Sequence, residues 1–450
     1  MEIQFLGATR VVTGSKYLLK ADKNVLVDCG LFQGLKELRL RNWMKFPIAP
    51  SSIDAVILTH AHLDHTGYLP LLVKNGFRGK IYATPLTIEL GRILLLDSGH
   101  LQEEEASRAN KLGYSKHKPA LPLYTRDDAQ KVFSQFQAIS FHQDFSIGDF
   151  HFCFNRVGHI FGAANLLVKH HETSILFSGD LGRPSDPCVL PPEAIAAADY
   201  LVLESTYGDR LHENVKPEEM LGAIINKVVG RGGSLIIPAF AVGRSQLLLY
   251  YIYSLKKNGQ IPNIPVFLDS PMAQDITDIM LKHADEHLLD EKTCSEIAKS
   301  VHYVSAVEES KLIDGYNFPR IIISASGMAT GGRVLHHIKA LASDRRNMIL
   351  FVGYQATGTR GKALLSGKRE IKIFGEKVLV NAEIGVLENV SAHADYQEML
   401  AWLGKIKTPP RKIFITHGEP HAALALQGKI QNSFGWPCVV PDYLQAELLS

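Results

Sequence analysis

Cysteine is scarce in this chain of 450 residues: Cys29, Cys153, Cys188, Cys294 and Cys438 are odd in number, scattered, and form no CxxC pair. That pattern argues against a disulfide framework and against a thiolate zinc site. Long apolar runs are missing too. None approaches the ~20 residues needed to span a bilayer, so no membrane partner is expected. The opening residues MEIQFLGATR lack the basic-then-apolar layout of a secretory signal. A reducing, cytoplasmic setting is the expectation. Charge of one sign is not in excess, since 48 basic residues face 46 acidic ones for a net charge of +2. Any nucleic-acid binding must therefore come from basic residues gathered in one cleft. Internal repeats, low-complexity tracts and long linkers are absent as well. With 46% hydrophobic and 21% charged residues the chain reads as globular. Its length exceeds the ~250–300 residues that one core supports, which predicts two domains.

The first part of the chain reads as short strands with few helices. Lys16–Leu19 and Val25–Asp28 flank a hairpin-like turn, and Ala55–Thr59 is a buried strand running into a histidine. Helical periodicity covers Thr87–Ala109 and Asp127–Phe136, and strand pattern returns from Phe150 to Phe177 and at Tyr200–Glu204. Tyr114–Pro122 reads as a surface loop. After about Tyr207 the rhythm changes. Helix is predicted over Pro217–Val229, Ser245–Lys256, Ala273–His287 and Val334–Leu341, alternating with strands Ser234–Ile237, Pro265–Leu268 and Arg320–Ser324. Such alternation predicts a parallel sheet with helices on its faces, ending near Asn389. The remainder gives helix Tyr396–Leu403, strand Lys412–Thr416, helix Ala422–Ile430 and strand Cys438–Val440.

The strongest chemical signal is His60-Ala61-His62-Leu63-Asp64-His65, directly after the strand Ala55–Thr59. Three imidazoles and a carboxylate crowd one strand end. Borderline cations such as zinc take nitrogen donors with some hard oxygen. A chain that stops and turns can aim these side chains into one space, whereas a helix would spread them around its circumference.

This HAHLDH segment resembles the HxHxDH signature of the metallo-β-lactamase superfamily, and further motifs follow in the family's order. Asp28 in LVDCG matches an aspartate that orients the ligand loop, His159 in VGHIFGA the third motif, and Asp180 in FSGDLG the fourth. The resemblance implies two Zn2+ per chain. His60, His62 and His159 would hold one, Asp64, His65 and a later histidine the other, and Asp180 would bridge them. Such a pair lowers the pKa of shared water toward neutrality.

Beyond this, Glu204 in LVLESTYGD, His393 in VSAHAD and His417 in FITHGEP match motifs A, B and C of the β-CASP nucleases. The similarity covers essentially the whole chain. It implies an α/β protein: a metallo-β-lactamase αββα sandwich, residues 1–208 and 391–450, with an inserted α/β β-CASP domain of mainly parallel sheet, residues 209–390. His417 would complete the second zinc site, and a histidine at motif C goes with RNA rather than DNA in that family. Asp64, His393 and Glu204 are the expected catalytic residues, His393 as general acid and Glu204 as its partner, for a histidine with a pKa near ~6.5 can protonate a leaving oxygen. Single-stranded RNA would lie between the domains and be cut by water, leaving 5′-phosphate and 3′-hydroxyl ends.

The inserted block adds candidate substrate contacts. Strand Arg320–Ser324 runs into Gly-Met-Ala-Thr-Gly-Gly at 327–332, and glycines such as Gly331 and Gly332 let backbone amides approach an anion. No Walker lysine or GxGxxG spacing accompanies them, so no nucleotide cofactor is implied. Arg244 in AFAVGRSQ, Ser270 in LDSPMA and Arg360 in GYQATGTR resemble family loops, and Ser391 adjoins His393. The two arginines are open to two readings, phosphate contact or structural ion pair. His336 and His337 follow the Gly-rich turn and are placed near the cleft, while His100, His142, His171, His212 and His421 read as surface or packing residues. The chain lacks the long C-terminal extensions of mRNA 3′-end processing relatives and the KH-type domains of archaeal ones. It is similar to the short, free-standing bacterial form, and the expected absence of the added C-terminal domain of the bacterial 5′-exonuclease relatives favours an endonuclease. The alternatives are a 5′-3′ exoribonuclease or a non-catalytic scaffold of an RNA-processing complex, and a homodimer stays open.

Overall fold

The computed structural model describes residues 1–195 and 197–450. The chain divides into two compact units, one formed by Met1–Leu211 with His393–Ser450 and one by His212–Ala392.

The first unit is built on two seven-stranded sheets. One runs in the order Ala446–Leu448, Glu2–Phe5, Tyr17–Lys20, Asn24–Val27, Ala55–Ile57, Lys80–Ala83, Phe136–Ala138. The other runs Cys438–Val439, Lys412–Thr416, Tyr200–Glu204, Thr173–Phe177, Ala164–His170, Phe150–Arg156, Phe145–Ile147. Alternation explains their packing. In Phe150–Arg156 the residues Phe150, Phe152 and Phe154 are buried while His151 is exposed. These phenylalanines join Phe5, Val27, Leu166, Phe177, Val202 and Phe414 in the core. Each such burial contributes about 1.5–3 kcal/mol. A second cluster, including Leu58, Leu69, Leu72, Leu95 and Tyr124, buries the apolar faces of helices Leu69–Lys74, Pro85–Leu112 and Arg126–Val132. Helix Pro420–Phe434 contacts Lys412–Thr416 on the second sheet. The result is an αββα sandwich.

Helix Pro85–Leu112 shows why the boundaries fall where they do. Thr84 caps its start by accepting from the Thr87 amide, Pro85 occupies the first turn, and Gly113 ends it at φ +65°. The helix expected over Asp127–Phe136 stops earlier. Thr125 and Asp128 form a capping box at its start, but the helix ends at Val132, and Phe136–Ala138 pairs in parallel with Lys80–Ala83 instead. Backbone pairing along Lys80–Ala83, which adds one more strand to the sheet, outweighs the local helical pattern.

The second unit is a six-stranded sheet in the order His302–Tyr303, Val266–Asp269, Ile321–Ser324, Leu235–Pro238, Met348–Val352, Glu383–Leu387. Every neighbouring pair is parallel. Its inner strands read as unbroken apolar runs such as IIIS and MILFV because helices cover both faces. Glu370–Ile373 and Glu376–Leu379 add a small antiparallel hairpin. The predicted helix Ala273–His287 ends at Lys282. Among the described residues no helix is long and apolar enough to cross a membrane, and all five cysteines are free thiols.

Candidate metal centre

The site lies where strands of both sheets of the first unit end. Ala55–Ile57 leads through Thr59 to His60 and His62, and the short helix Leu63–Thr66 carries Asp64 and His65. The turn packs closely: a Cβ at Gly30 would lie 1.6 Å from the Asp64 carbonyl oxygen. Asp28, held at φ +57°, is buried beneath this turn. Its carboxylate accepts from the Thr59 amide at 2.8 Å and the Thr59 hydroxyl at 2.9 Å, and faces His65 Nδ1 at 2.8 Å. Asp28 thus orients the loop without joining the cluster of donor atoms. His159 follows Phe150–Arg156, Asp180 follows Thr173–Phe177, and His417 follows Lys412–Thr416 at φ +47°.

Two groups of donors result, His60 with His62, His159 and Asp180, and Asp64 with His65 and His417. In the first, His62 Nδ1 lies 3.2 Å from both His60 Nε2 and His159 Nε2. In the second, His65 Nε2 and His417 Nε2 are 3.3 Å apart, and Asp64 Oδ2 is 3.4 Å from His417 Nε2. Two nitrogens bound tetrahedrally at ~2.0–2.1 Å from one zinc stand roughly 3.3 Å apart, so the donor spacing fits that ion. Asp180 sits between the groups. Its Oδ2 is 3.5 Å from His60 Nε2 and from His159 Nε2, while its Oδ1 is 3.2 Å from His65 Nε2 and 3.6 Å from His417 Nδ1.

The second ring nitrogens are engaged from outside. Thr59 Oγ1 is 3.1 Å from His60 Nδ1, Asp28 holds His65 Nδ1, and Thr206 Oγ1 is 3.1 Å from His417 Nδ1. Such partners fix ring orientation in metal sites. Sequence reading missed Thr206; its position two residues after Glu204 in ESTYGD was the available signal. Burial, then the neighbouring His65, holds His60 well below the usual imidazole range. Burial likewise lowers His159, and His62 to about 4. Neutral imidazoles are the form that binds metal. Burial opposes charge on Asp180, but the surrounding His417, His65 and His60 hold its carboxyl well below the usual carboxylate range.

His393 and Glu204 adjoin these donors. His393 Nδ1 is 3.0 Å from Glu204 Oε1, and its ring centroid is 4.6 Å from that of His159. Glu204 is only 1% exposed and also accepts from the amides of Leu181 at 2.7 Å and Thr206 at 3.1 Å. Burial disfavours charging His393, yet the Glu204 carboxylate and its hydrogen bond outweigh this and raise the histidine's pKa. A part-buried histidine held this way by a carboxylate keeps its proton to higher pH than a free imidazole and can deliver it to a neighbouring oxygen.

The candidate substrate contacts lie in the second unit. Arg244 is buried at the start of helix Arg244–Lys257, and Ser391 is buried after Leu387. Ser270 caps helix Pro271–Lys282 by accepting from the Ala273 amide. The Gly331 amide donates to Ser326 Oγ, and Gly332 takes φ +74°. Arg360 donates to the carbonyl oxygens of Ala329, Thr330 and Lys372, bracing the Gly-rich turn. His337 does not reach a surface. It is fully buried, with Nε2 2.7 Å from Asp269 and Nδ1 2.6 Å from Asp314, because its helix packs that face on the sheet. His336 packs against Phe374 with ring centroids 4.5 Å apart and planes tilted by 37°.

An αββα sandwich with two donor groups at its strand ends defines a metallohydrolase of the metallo-β-lactamase class. Residues 18–189 match the model of a metallo-β-lactamase superfamily domain, 245–364 that of the Beta-Casp domain, and 377–441 that of a Zn-dependent metallo-hydrolase RNA specificity domain. The chain belongs to the β-CASP family of the metallo-β-lactamase superfamily. It is 35% identical to Ribonuclease TTHA0252 of Thermus thermophilus, over 96% of each chain. It is 31% identical to Transcription termination factor FttA of Pyrococcus abyssi, covering 99% of this chain and 70% of that one. An RNase J-like protein of Methanocaldococcus jannaschii is 29% identical over 93% of this chain and 92% of its own. A protein of unknown function from Enterococcus faecalis shares the fold at TM-score 0.55 and 13% identity, covering 100% of this chain and 99% of that one.

Proposed function

We propose that this chain is a zinc-dependent ribonuclease that hydrolyses single-stranded RNA at internal phosphodiester bonds, leaving 5′-phosphate and 3′-hydroxyl ends. The observation that carries the reading is the convergence of the two donor groups with the His393–Glu204 pair. Family membership and relatives named as ribonucleases support RNA as the substrate. His60, His62 and His159 would hold one Zn2+, Asp64, His65 and His417 a second, and Asp180, with one oxygen toward each group, would serve both. Two such ions supply Lewis acidity and water acidified toward neutrality.

The chain's own residues do the rest. Asp28 and Thr206 hold His65 and His417 in orientation. Glu204 accepts from His393 Nδ1–H, so the proton for the leaving 3′ oxygen is carried on His393 Nε2. Proposed RNA contacts in the second unit are Arg244, Ser270, Gly331, Gly332, Arg360 and Ser391. Ser270 and Arg360 also serve local structure, so replacing either costs stability as well as binding. The setting is the cytoplasm, where five free thiols stay reduced.

The test is cleavage of 5′-labelled single-stranded RNA and its DNA counterpart by zinc-loaded protein, with Asp64→Ala and His393→Ala alongside. Internal RNA fragments, spared DNA and two inactive variants are expected. Release of mononucleotides from the 5′ end would overturn the endonuclease assignment. Retained activity in His393→Ala would remove its role as acid.

A further inference from the structure

A second group of metal-type donors lies at hairpin turns of the first unit and shares no residue with the centre described above. Asp22 is in the turn between Tyr17–Lys20 and Asn24–Val27, and Asp149 lies between Phe145–Ile147 and Phe150–Arg156. His170 ends strand Ala164–His170, and His171 follows it in the turn before Thr173–Phe177. Three separate hairpins therefore meet, one from the first sheet and two from the second. Asp149, His170 and His171 present donor atoms within 4.8 Å of one another. Asp22 Oδ1 is 3.4 Å from His170 Nε2, and Asp149 Oδ2 is 3.9 Å from His171 Nε2.

These spacings are longer than the ~2.7–2.9 Å of a charge-assisted hydrogen bond, but near the separation of two ligands sharing one ion. Much of the arrangement is already in place. Asp22 Oδ2 accepts from the Asp149 amide at 2.9 Å, which leaves Oδ1 toward His170. The approach is close enough that a Cβ at Gly148 would lie 2.0 Å from Asp22 Oδ2. The His170 side chain is 11% exposed, its ring between Phe150 at 4.7 Å and His171 at 4.3 Å. His171 takes φ +52°, a left-handed backbone conformation, and its ring lies beside that of His170.

We propose that His170, His171, Asp149 and Asp22 form a second, structural zinc site that clips the two sheets of the first unit together at their hairpin turns. Two imidazoles with two carboxylates favour zinc and its first-row neighbours over magnesium or calcium, whose shells are all oxygen. All four donors come from the protein, as in structural rather than catalytic zinc sites. Binding to the folded arrangement alone would stabilise the unit by mass action.

The experiment is native mass spectrometry of the whole protein in zinc, with His171→Gln and Asp149→Asn beside wild type. Both residues are exposed, so both variants are expected to fold. Wild type should carry one more Zn2+ per chain than either variant, at unchanged ribonuclease rate. Its melting temperature should rise in an additional step on zinc titration that both variants lack. An equal zinc count in wild type and variants overturns the proposal, as does a melting step that persists in them.

Discussion

Replacing Glu204 by Gln isolates the charge behind the proposed acid. The carboxylate is buried and serves three donors: His393 Nδ1 at 3.0 Å, the Leu181 amide at 2.7 Å and the Thr206 amide at 3.1 Å. A glutamine keeps the shape but removes the charge, and its amide group must face one of those N–H donors. A hydrogen bond to a charged group contributes about 1.5–3 kcal/mol. Lost from the state in which His393 carries its proton, that lowers the protonated fraction of the acid, and with it kcat on the alkaline side of the shifted pKa, by up to about 10- to 150-fold. KM should change little, because the lost interaction serves proton transfer rather than binding. The pH profile gives a second sign. Glu204 raises the His393 pKa against the effect of burial. In the variant the acid therefore loses its proton at lower pH, and the alkaline fall in rate moves down. The assay is the pH dependence of steady-state RNA cleavage, with zinc content checked as equal. An unchanged kcat and an unshifted alkaline limb would refute the reasoning.

Other expectations follow from single contacts. Asp28→Asn removes the charge behind His65 Nδ1, and zinc affinity should fall about 10- to 100-fold in chelator competition; unaltered affinity would end the orienting role of Asp28. His337 has a pKa of about 9: burial opposes its charge, but hydrogen bonds to Asp269 and Asp314 prevail. A folded-state pKa above the unfolded ~6.5 means the stabilisation is complete below pH ~6.5 and lost as pH rises through about 9, an effect on the order of 3 kcal/mol. Hydrogen exchange in strands Val266–Asp269 and Ile321–Ser324 should quicken across that window beyond the intrinsic rate, and no excess would contradict the linkage. Ser270→Ala should cost about 1 kcal/mol in urea unfolding through loss of the helix cap.

The helices Val334–Leu341 and Tyr396–Leu403 and the strands Tyr200–Glu204 and Lys412–Thr416 occupy the residues that periodicity predicts. Their apolar spacing matches one geometry, and flanking caps or turns close them off, as the Asp395–Glu398 capping box does for Tyr396. The strands Met348–Val352 and Glu383–Leu387 were less legible. MILFV is apolar throughout, which suits a buried strand and a buried helix equally. Phe136–Ala138 became a strand only because a sheet edge lay beside it.

The site divides along the same line. HAHLDH, with the motifs around His159, Asp180, Glu204, His393 and His417, specified donor types by sequence alone, since so dense a set of imidazoles and carboxylates has few other uses. Thr206, the burial of His337, and the cluster of Asp22, Asp149, His170 and His171 were not legible, because their partners are far away in sequence. Local pattern carries the chemistry of a residue and the element it prefers. Which residues meet, at 3.2 Å rather than 10, depends on sheet order and turn placement, and those are fixed only when the apolar faces of distant segments are buried together.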